Sequence, residues 1–423
     1  MPDMMGPVGI VAGGGSLPIE VAESLSRRGR AVHIVAIEGS AGCEVEAYPH
    51  TWTRIAAVGR LLGALRAACC REIIFVGRIT RPEVRSLRPD LGFFRHLPMF
   101  FSILRDGDDA ILTRILRFFE RQGFTVLGVP AVAPELVARA GSIGRHEFRA
   151  SDRADAALGA RLIGAIGPLD VGQAVVVRGG KVIAIEAAEG TDRMLARAAI
   201  LAAPDASPSG VLVKRPKPGQ ELRIDLPAIG PPTIAGAIAA QLSGIALAPG
   251  GALLLERERL IAAADDGRVA IAGLDEPAAS PDRQVRELNV DEVAGRLRAA
   301  RRRELQIAAE VSRRLAAFNA GAAVAVARRH VLAVSAAEGP LAMLARVRAL
   351  RQWGDRSSAR RDGVVVIRLD EPREPDIAAL AAAIGSARLT AVAIDVAWSR
   401  SALEVLAGEL GSGVTLVSLR ASS

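Results

Sequence analysis

The chain has 423 residues, half of them apolar and 3% aromatic, with a formal net charge of +8. A single core rarely grows that large, so two or three domains are expected, and so few aromatic rings argue against a protein that reads bases by stacking. Cys43, Cys69 and Cys70 give neither a disulfide framework nor a zinc spacing, and the histidines form no i,i+4 metal pair.

The elements follow in chain order. Val8 to Ala12 is a short apolar run that stops at Gly13-Gly14-Gly15. Ser16-Leu17-Pro18 then opens a periodic stretch that ends at Gly29, a strand followed by a helix. Ala31 to Gly39, Arg71 to Ile79 and Phe124 to Val129 read as further strands, with helices over Ile55 to Cys69 and Asp108 to Gln122. Residues 1–150 are therefore expected to form a Rossmann-like α/β domain with a largely parallel sheet. After a break at Gly141 to Ser151 come a helix, Ala154 to Ile166, and a hairpin turning at Arg178-Gly179-Gly180. A helix from Asp192 to Leu201, a strand ending at Lys214, a Pro- and Gly-rich loop and a helix from Thr233 to Gln241 complete a second α/β domain over 151–275. Residues 276–303 read as a connector, a loop followed by a charged helix that takes in Val290. Residues 304–423 make a third domain. Cys69 and Cys70 read as core residues. No apolar run approaches the ~18–20 residues of a membrane span, and no secretory signal is apparent, so a cytoplasmic protein is expected.

The third domain repeats the second. Shifting Gly172–Leu201 by 149 residues lays it over Gly321–Leu350 without a gap, and roughly half the positions are identical. Such self-similarity reads as an internal duplication. The copy keeps its apolar positions and loses polar ones. Gln173 becomes Ala322, Glu186 becomes Ser335, Thr191 and Asp192 become Pro340 and Leu341, and Lys214 becomes Ile367.

Those losses direct attention to chemistry. Glu186, Glu189, Thr191 and Asp192 lie where a strand ends and a helix begins. Lys214 and Lys217 follow on a strand end and its Pro-rich loop with Gln220, and Asp225 comes next. Carboxylates hold a hard divalent cation through oxygen, ammonium groups offset phosphate charge, and an Asp can orient water. Arginine carries nearly all the positive charge, and two of the three lysines, Lys214 and Lys217, fall in this region. In the first domain, the Gly13–Gly15 turn suits a phosphate through backbone N–H groups and the helix dipole, and reads equally as a tight turn. Pro18 stands where a dinucleotide fingerprint needs its third glycine, which counts against an oxidoreductase. Arg78 and Arg81 read as a diphosphate clamp or as solvated loop residues. Asp108 and Asp109 offer one N-cap and one spare acid for a metal or nucleotide.

GIVAGGGSLP, VGRITRP, GDDAILTRILRFFE, LDVGQAVVV, EAAEGTDRMLAR, VLVKRPKPGQELRIDLPAIGPPT and GIAL, in that order over residues 6–275, resemble the UDP-2,3-diacylglucosamine pyrophosphatases of the lipid A pathway. This family is unrelated to the metallophosphoesterases, and the residues after 275 depart from its two-domain pattern. The resemblance implies Mg2+-dependent hydrolysis of UDP-2,3-diacylglucosamine to UMP and 2,3-diacylglucosamine 1-phosphate, with the site between the N- and C-terminal domains. It places the family's essential Asp on Asp225, and Thr191, Asp192 and Lys214 match other polar motif positions. On this reading Asp225 and Lys214 are catalytic, and Asp225, Glu189 and Asp192 hold the metal. Gly13, Gly14, Gly15, Leu17, Arg78, Thr80, Asp108, Asp109, Gln173 and Thr191 bind substrate. The apolar stretch Phe93 to Leu104 serves the core or an acyl groove. The expected partners are a lipid-linked nucleotide sugar and, transiently, the inner membrane surface, with no nucleic acid. The copied domain would act as a scaffold, burying an interdomain or homodimer surface or covering the lipid groove. The alternative is a protein that binds or senses a nucleotide-linked lipid without cleaving it.

Overall fold

The computed structural model describes residues 6–79, 108–203, 207–275, 289–350 and 361–419, which group into two compact units. The first is built on five parallel strands, β1 (Val8–Ala12), β2 (Val32–Ile37), β3 (His50–Thr53), β4 (Glu72–Val76) and β5 (Thr125–Leu127). Their order is β3-β2-β1-β4-β5, and helices α1 (Leu17–Arg27), α2 (Val58–Ala67) and α3 (Asp108–Arg121) connect them. The central strands β1, β2 and β4 are largely apolar because both faces of the sheet are buried there. Ile10, Ile34 and Ile74 enter one core cluster, and Val11, Val35 and Ile73 enter the other. The direction of winding reverses between β1 and β4. In sheets of this kind ligands bind outside the strand C-termini at such a switch point.

This unit also takes Gln220–Pro231 and Pro249–Ile261, which the order along the chain assigns to the second domain. The reason is burial. Ile224 packs against one core cluster of the first sheet, and Leu226, Ala228 and Leu253 pack in the other. Ala228–Ile229 and Leu253–Leu254 pair as a short parallel ladder, and Ala138 N donates to Ala252 O at 2.8 Å.

The second unit contains two mixed sheets. The first has β6 (Gly141–Ile143), β7 (Ala174–Arg178), β8 (Lys181–Ile185), β9 (Val211–Lys214), β10 (Gly244–Leu247) and β11 (Ala270–Gly273), in the order β6-β11-β10-β9-β7-β8. The other has β12 (Val290–Ala294), β13 (Ala323–Ala327), β14 (His330–Val334), β15 (Val364–Ile367), β16 (Ala391–Ile394) and β17 (Thr415–Leu419), in the order β12-β17-β16-β15-β13-β14. The two orders correspond strand for strand, and so does every parallel or antiparallel pairing. Both hairpins even carry a register shift at equivalent places, Val176/Val177 and Ala325/Val326. Helices α4 (Ala150–Ile166) and α5 (Thr191–Ile200) accompany the first sheet, and α6 (Ala299–Ala316) and α7 (Gly339–Leu350) accompany the second. A polar device recurs as well. Asp155 on α4 accepts from Gly179 N at 2.9 Å and Gly180 N at 2.7 Å in the hairpin turn, and Glu304 on α6 accepts from Arg328 N at 2.7 Å.

Three short strands, β3, β6 and β12, were not legible in the sequence. The helix expected to take in Val290 is instead strand β12, antiparallel to β17. Gly295 follows at φ 75°, a left-handed conformation that a continuous right-handed helix cannot contain, so α6 starts only at Ala299. Cys69 is exposed, and Cys70 alone is buried. Burial, together with Cys69, pushes the Cys70 thiol up to about 11, as suits an inert core cysteine. Among the described residues no helix is long and apolar enough to cross a membrane.

Candidate active site

In the first unit, β1 ends in the glycine turn. Gly13 N donates to Val76 O at 2.8 Å, Gly14 N to Arg78 O at 2.7 Å, and Arg78 N returns to Gly14 O at 2.8 Å. The turn is thus laced to the loop after β4. A Cβ on Gly13 would lie 2.4 Å from Arg78 O, and one on Gly14 would lie 2.6 Å from Ser40 O. These two glycines are required by close backbone approach, and their amides already have protein acceptors. Gly15 differs. It is exposed, has φ 96°, and a Cβ there meets nothing within 4 Å. It precedes α1, whose N-cap Ser16 makes no side-chain capping bond. Any anion attracted to this turn therefore meets Gly15 and the first turn of α1 rather than Gly13 and Gly14. Gly13→Ala is expected to destabilise this unit by about 3 kcal/mol or more, because the clash is with backbone that cannot yield. Denaturant unfolding measures this, and a loss below about 1 kcal/mol would show that the turn relaxes.

Leu17 is half-buried and packs against the core beneath β1. Arg78 is exposed. Thr80, Arg81 and the Phe93 to Leu104 stretch lie outside the described residues. Asp108 and Asp109 begin α3. Asp225 is half-buried in the loop that packs on this unit, and its Oδ2 accepts from Gln220 Nε2. Gln220 is 7% exposed, so the carboxylate is held from a buried side chain. Ile224 and Leu226 on either side are pinned in the core.

In the second unit, three charged or polar side chains form a buried line. Lys214, the last residue of β9, is 6% exposed, Thr191, the first of α5, is 9%, and Glu186, just after β8, is 7%. Lys214 Nζ donates to Thr191 Oγ1 at 2.8 Å, and the Thr191 hydroxyl donates to Glu186 Oε1 at 2.9 Å. Glu186 Oε2 accepts from Gln173 N at 3.1 Å. Burying a lone ammonium or carboxylate is costly. One hydroxyl here accepts from the cation and donates to the anion, so the two charges offset each other. Gln173 contributes its backbone amide to this line. Lys217 pairs instead with Asp170.

The second sheet of this unit provides the comparison. Ser335 stands in the Glu186 position, is fully buried, and accepts from Ala323 N at 2.7 Å. Ile367 stands in the Lys214 position and is also fully buried. The fold closes around neutral groups at both places. Glu186 stands out in the sequence because the equivalent position is Ser335, although the family resemblance gives it no role. Gln220 stands beside Lys217 in the same polar loop, which has no counterpart against which a loss could be read.

Among the described residues, no group of three or more His, Cys, Asp or Glu side chains is placed to hold a metal. Of the acids expected at Mg2+, Glu189 is bound to Arg197, with a side chain 3% exposed. That pairing has a sign in the sequence, since the equivalent positions 149 residues on hold the same residue types, Glu338 and Arg346. Asp192 is exposed in the first turn of α5, where a negative charge favours the helix dipole. Asp225 belongs to the other unit. Mg2+ commonly uses one or two carboxylates and completes its shell with substrate phosphates and water. Asp225 fits that kind of site, and the paired Glu189 does not.

Residues 7–136 match the model of the LpxI N-terminal domain, and residues 139–272 and 293–380 match that of the LpxI C-terminal domain. The chain is 39% identical over 277 residues to the UDP-2,3-diacylglucosamine pyrophosphatase LpxI of Caulobacter vibrioides, covering 64% of this chain and 98% of that protein.

Proposed function

The chain belongs to the LpxI family, and from that premise we propose that it hydrolyses the pyrophosphate bond of UDP-2,3-diacylglucosamine, releasing UMP and 2,3-diacylglucosamine 1-phosphate. The observation that carries this reading is the buried Lys214–Thr191–Glu186 line, present in one of two sheets of the same order and replaced by neutral groups in the other. The fold itself does not require those charges, so a ligand is the reason to keep them.

Phosphoryl transfer asks a protein chiefly for positioning and charge neutralisation. Lys214 supplies a compact ammonium to a phosphoryl oxygen. Thr191 then keeps the cation linked to Glu186, so the line stays neutral before substrate arrives and can strengthen its donation when negative charge develops. Asp225, oriented by Gln220, is the carboxylate that would hold Mg2+. When bound, the ion neutralises phosphate charge and polarises the phosphorus centre. Gly15, the first turn of α1 and Arg78 take the nucleotide-side phosphate. The net charge of +8 suits an enzyme that works at the cytoplasmic face of the inner membrane and draws its lipid from an anionic surface.

The deciding experiment is UMP release from UDP-2,3-diacylglucosamine by the full chain, with Mg2+ and with chelator. Release that stops in chelator and returns with Mg2+ is expected. Tight binding of the intact substrate with no release would replace hydrolysis by a binding or sensing role.

A further inference from the structure

The two sheets of the second unit meet through equivalent residues. One hydrophobic cluster takes Val175, Val177 and Ile185 from one sheet and Val324, Val326 and Val334 from the other, each 149 residues beyond its counterpart. The helices share that cluster through Ile166 on α4 and Leu315 on α6, again 149 residues apart. Arg314 Nη1 donates to Ala165 O at 3.0 Å, and Arg314 is itself the counterpart of Ala165. Equivalent surfaces facing each other make an isologous contact, the geometry of a two-fold dimer. Here both faces belong to one chain.

Four charges close this contact beside the candidate site. Glu189 pairs with Arg197, and their counterparts Glu338 and Arg346 pair at 2.6 Å. Arg197 Nη1 then crosses to Glu338 Oε1 at 3.0 Å. Each arginine also returns to the strand before its own turn, Arg197 to Ile185 O at 3.1 Å and Arg346 to Val334 O at 2.8 Å. Burial, then Arg197, lowers the Arg346 pKa from its ordinary value, against Glu338 and Glu189, so all four groups lie within electrostatic reach. The backbone joins in. Ala337 N donates to Ile183 O at 3.3 Å, and Ala188 packs on the core of the other sheet. The stretch held in this way, from Ile183 through Arg197, contains Glu186 and Thr191.

We infer that residues 289–350 and 361–419 serve as a built-in second subunit for the sheet that carries Lys214, and that Glu338 is a positioning residue that seats the Glu186–Thr191 turn through Arg197. The kinetic part of this inference rests on the hydrolase reading above.

The test is Glu338→Gln in the full chain. Amide exchange across 186–200 is expected to accelerate, while β1–β5 keep their protection. The kcat for UMP release is expected to fall by about tenfold or more with KM held within about twofold, the signature of misplaced groups rather than lost binding. Glu338→Asp should recover most of the kcat. If the single variant fails to fold, Glu338→Gln with Arg346→Gln keeps the buried charge balanced and should show the same two changes. Unaltered exchange at 186–200 in a folded variant overturns the brace. Faster exchange with unaltered kcat overturns the positioning role of Glu338. A wild type that releases no UMP counts against the hydrolase reading instead, and exchange alone then decides the brace. Protection of α4 and α6 that falls on dilution overturns the built-in subunit, because a second copy would then be covering that face.

Discussion

Asp225→Ala is expected to reduce kcat for UMP release by about a thousandfold or more, the scale of losing a group that stabilises charge only in the transition state. The geometry explains why one carboxylate should count for so much. Gln220, 7% exposed, donates to Asp225 Oδ2, and Ile224 and Leu226 anchor the same loop in two core clusters. The carboxylate is held before substrate arrives, so little reorganisation is needed when charge develops. Asp225 is only half-buried, so its replacement should cost no more than about 1 kcal/mol of stability. Asp225→Asn separates charge from shape, since it keeps the outline of the side chain without the negative charge. It should be nearly as inactive as Asp225→Ala. Chelator-sensitive release that persists at near wild-type rate in either variant would remove Asp225 from the centre of the reaction.

Lys214→Ile and Glu186→Ser should each destabilise the second unit by about 3–5 kcal/mol, because each leaves a buried opposite charge uncompensated. The double variant should lose less than the sum of the two, with a coupling of about 1–3 kcal/mol. Ser335 and Ile367 already show that combination inside a sheet of the same order, both fully buried. Thr191 remains in the double variant, and its hydroxyl, which links the ammonium to the carboxylate, then needs only a neutral partner. Activity should be lost in all three variants, so stability and catalysis separate in the double variant. The comparison is a double-mutant cycle by denaturant unfolding, followed in parallel with UMP release. Strictly additive losses would mean that the two charges are not coupled through Thr191, and would weaken the argument that they are kept together for a ligand.

Sequence alone determined the features that depend on neighbours along the chain. Apolar runs punctuated by glycine located β1, β2, β4 and β5. The Ser16-Leu17-Pro18 start signal located α1, and the Gly179-Gly180 turn located the β7–β8 hairpin. Comparing the chain with itself also sorted Lys214, Thr191 and Glu186, which vanish in the second sheet, from apolar positions that remain. Short segments escaped this reading. His50–Thr53, Gly141–Ile143 and Val290–Ala294 carry too little pattern of their own and become strands by pairing with β2, β11 and β17. Tertiary structure decided which partner each polar group takes. Glu189 lies three residues from Glu186, yet one meets Arg197 and the other meets Thr191. Gly13 and Gly15 are two residues apart, yet Gly13 is buried with its amide bonded to Val76 O and Gly15 is exposed. Asp225 follows β9 in sequence, yet it joins the first unit because Ile224 and Leu226 bury there. Local pattern encodes the periodicity of a strand or helix. The pairing of a charge depends on which distant group the fold brings within about 3 Å, and only the folded chain sets that distance.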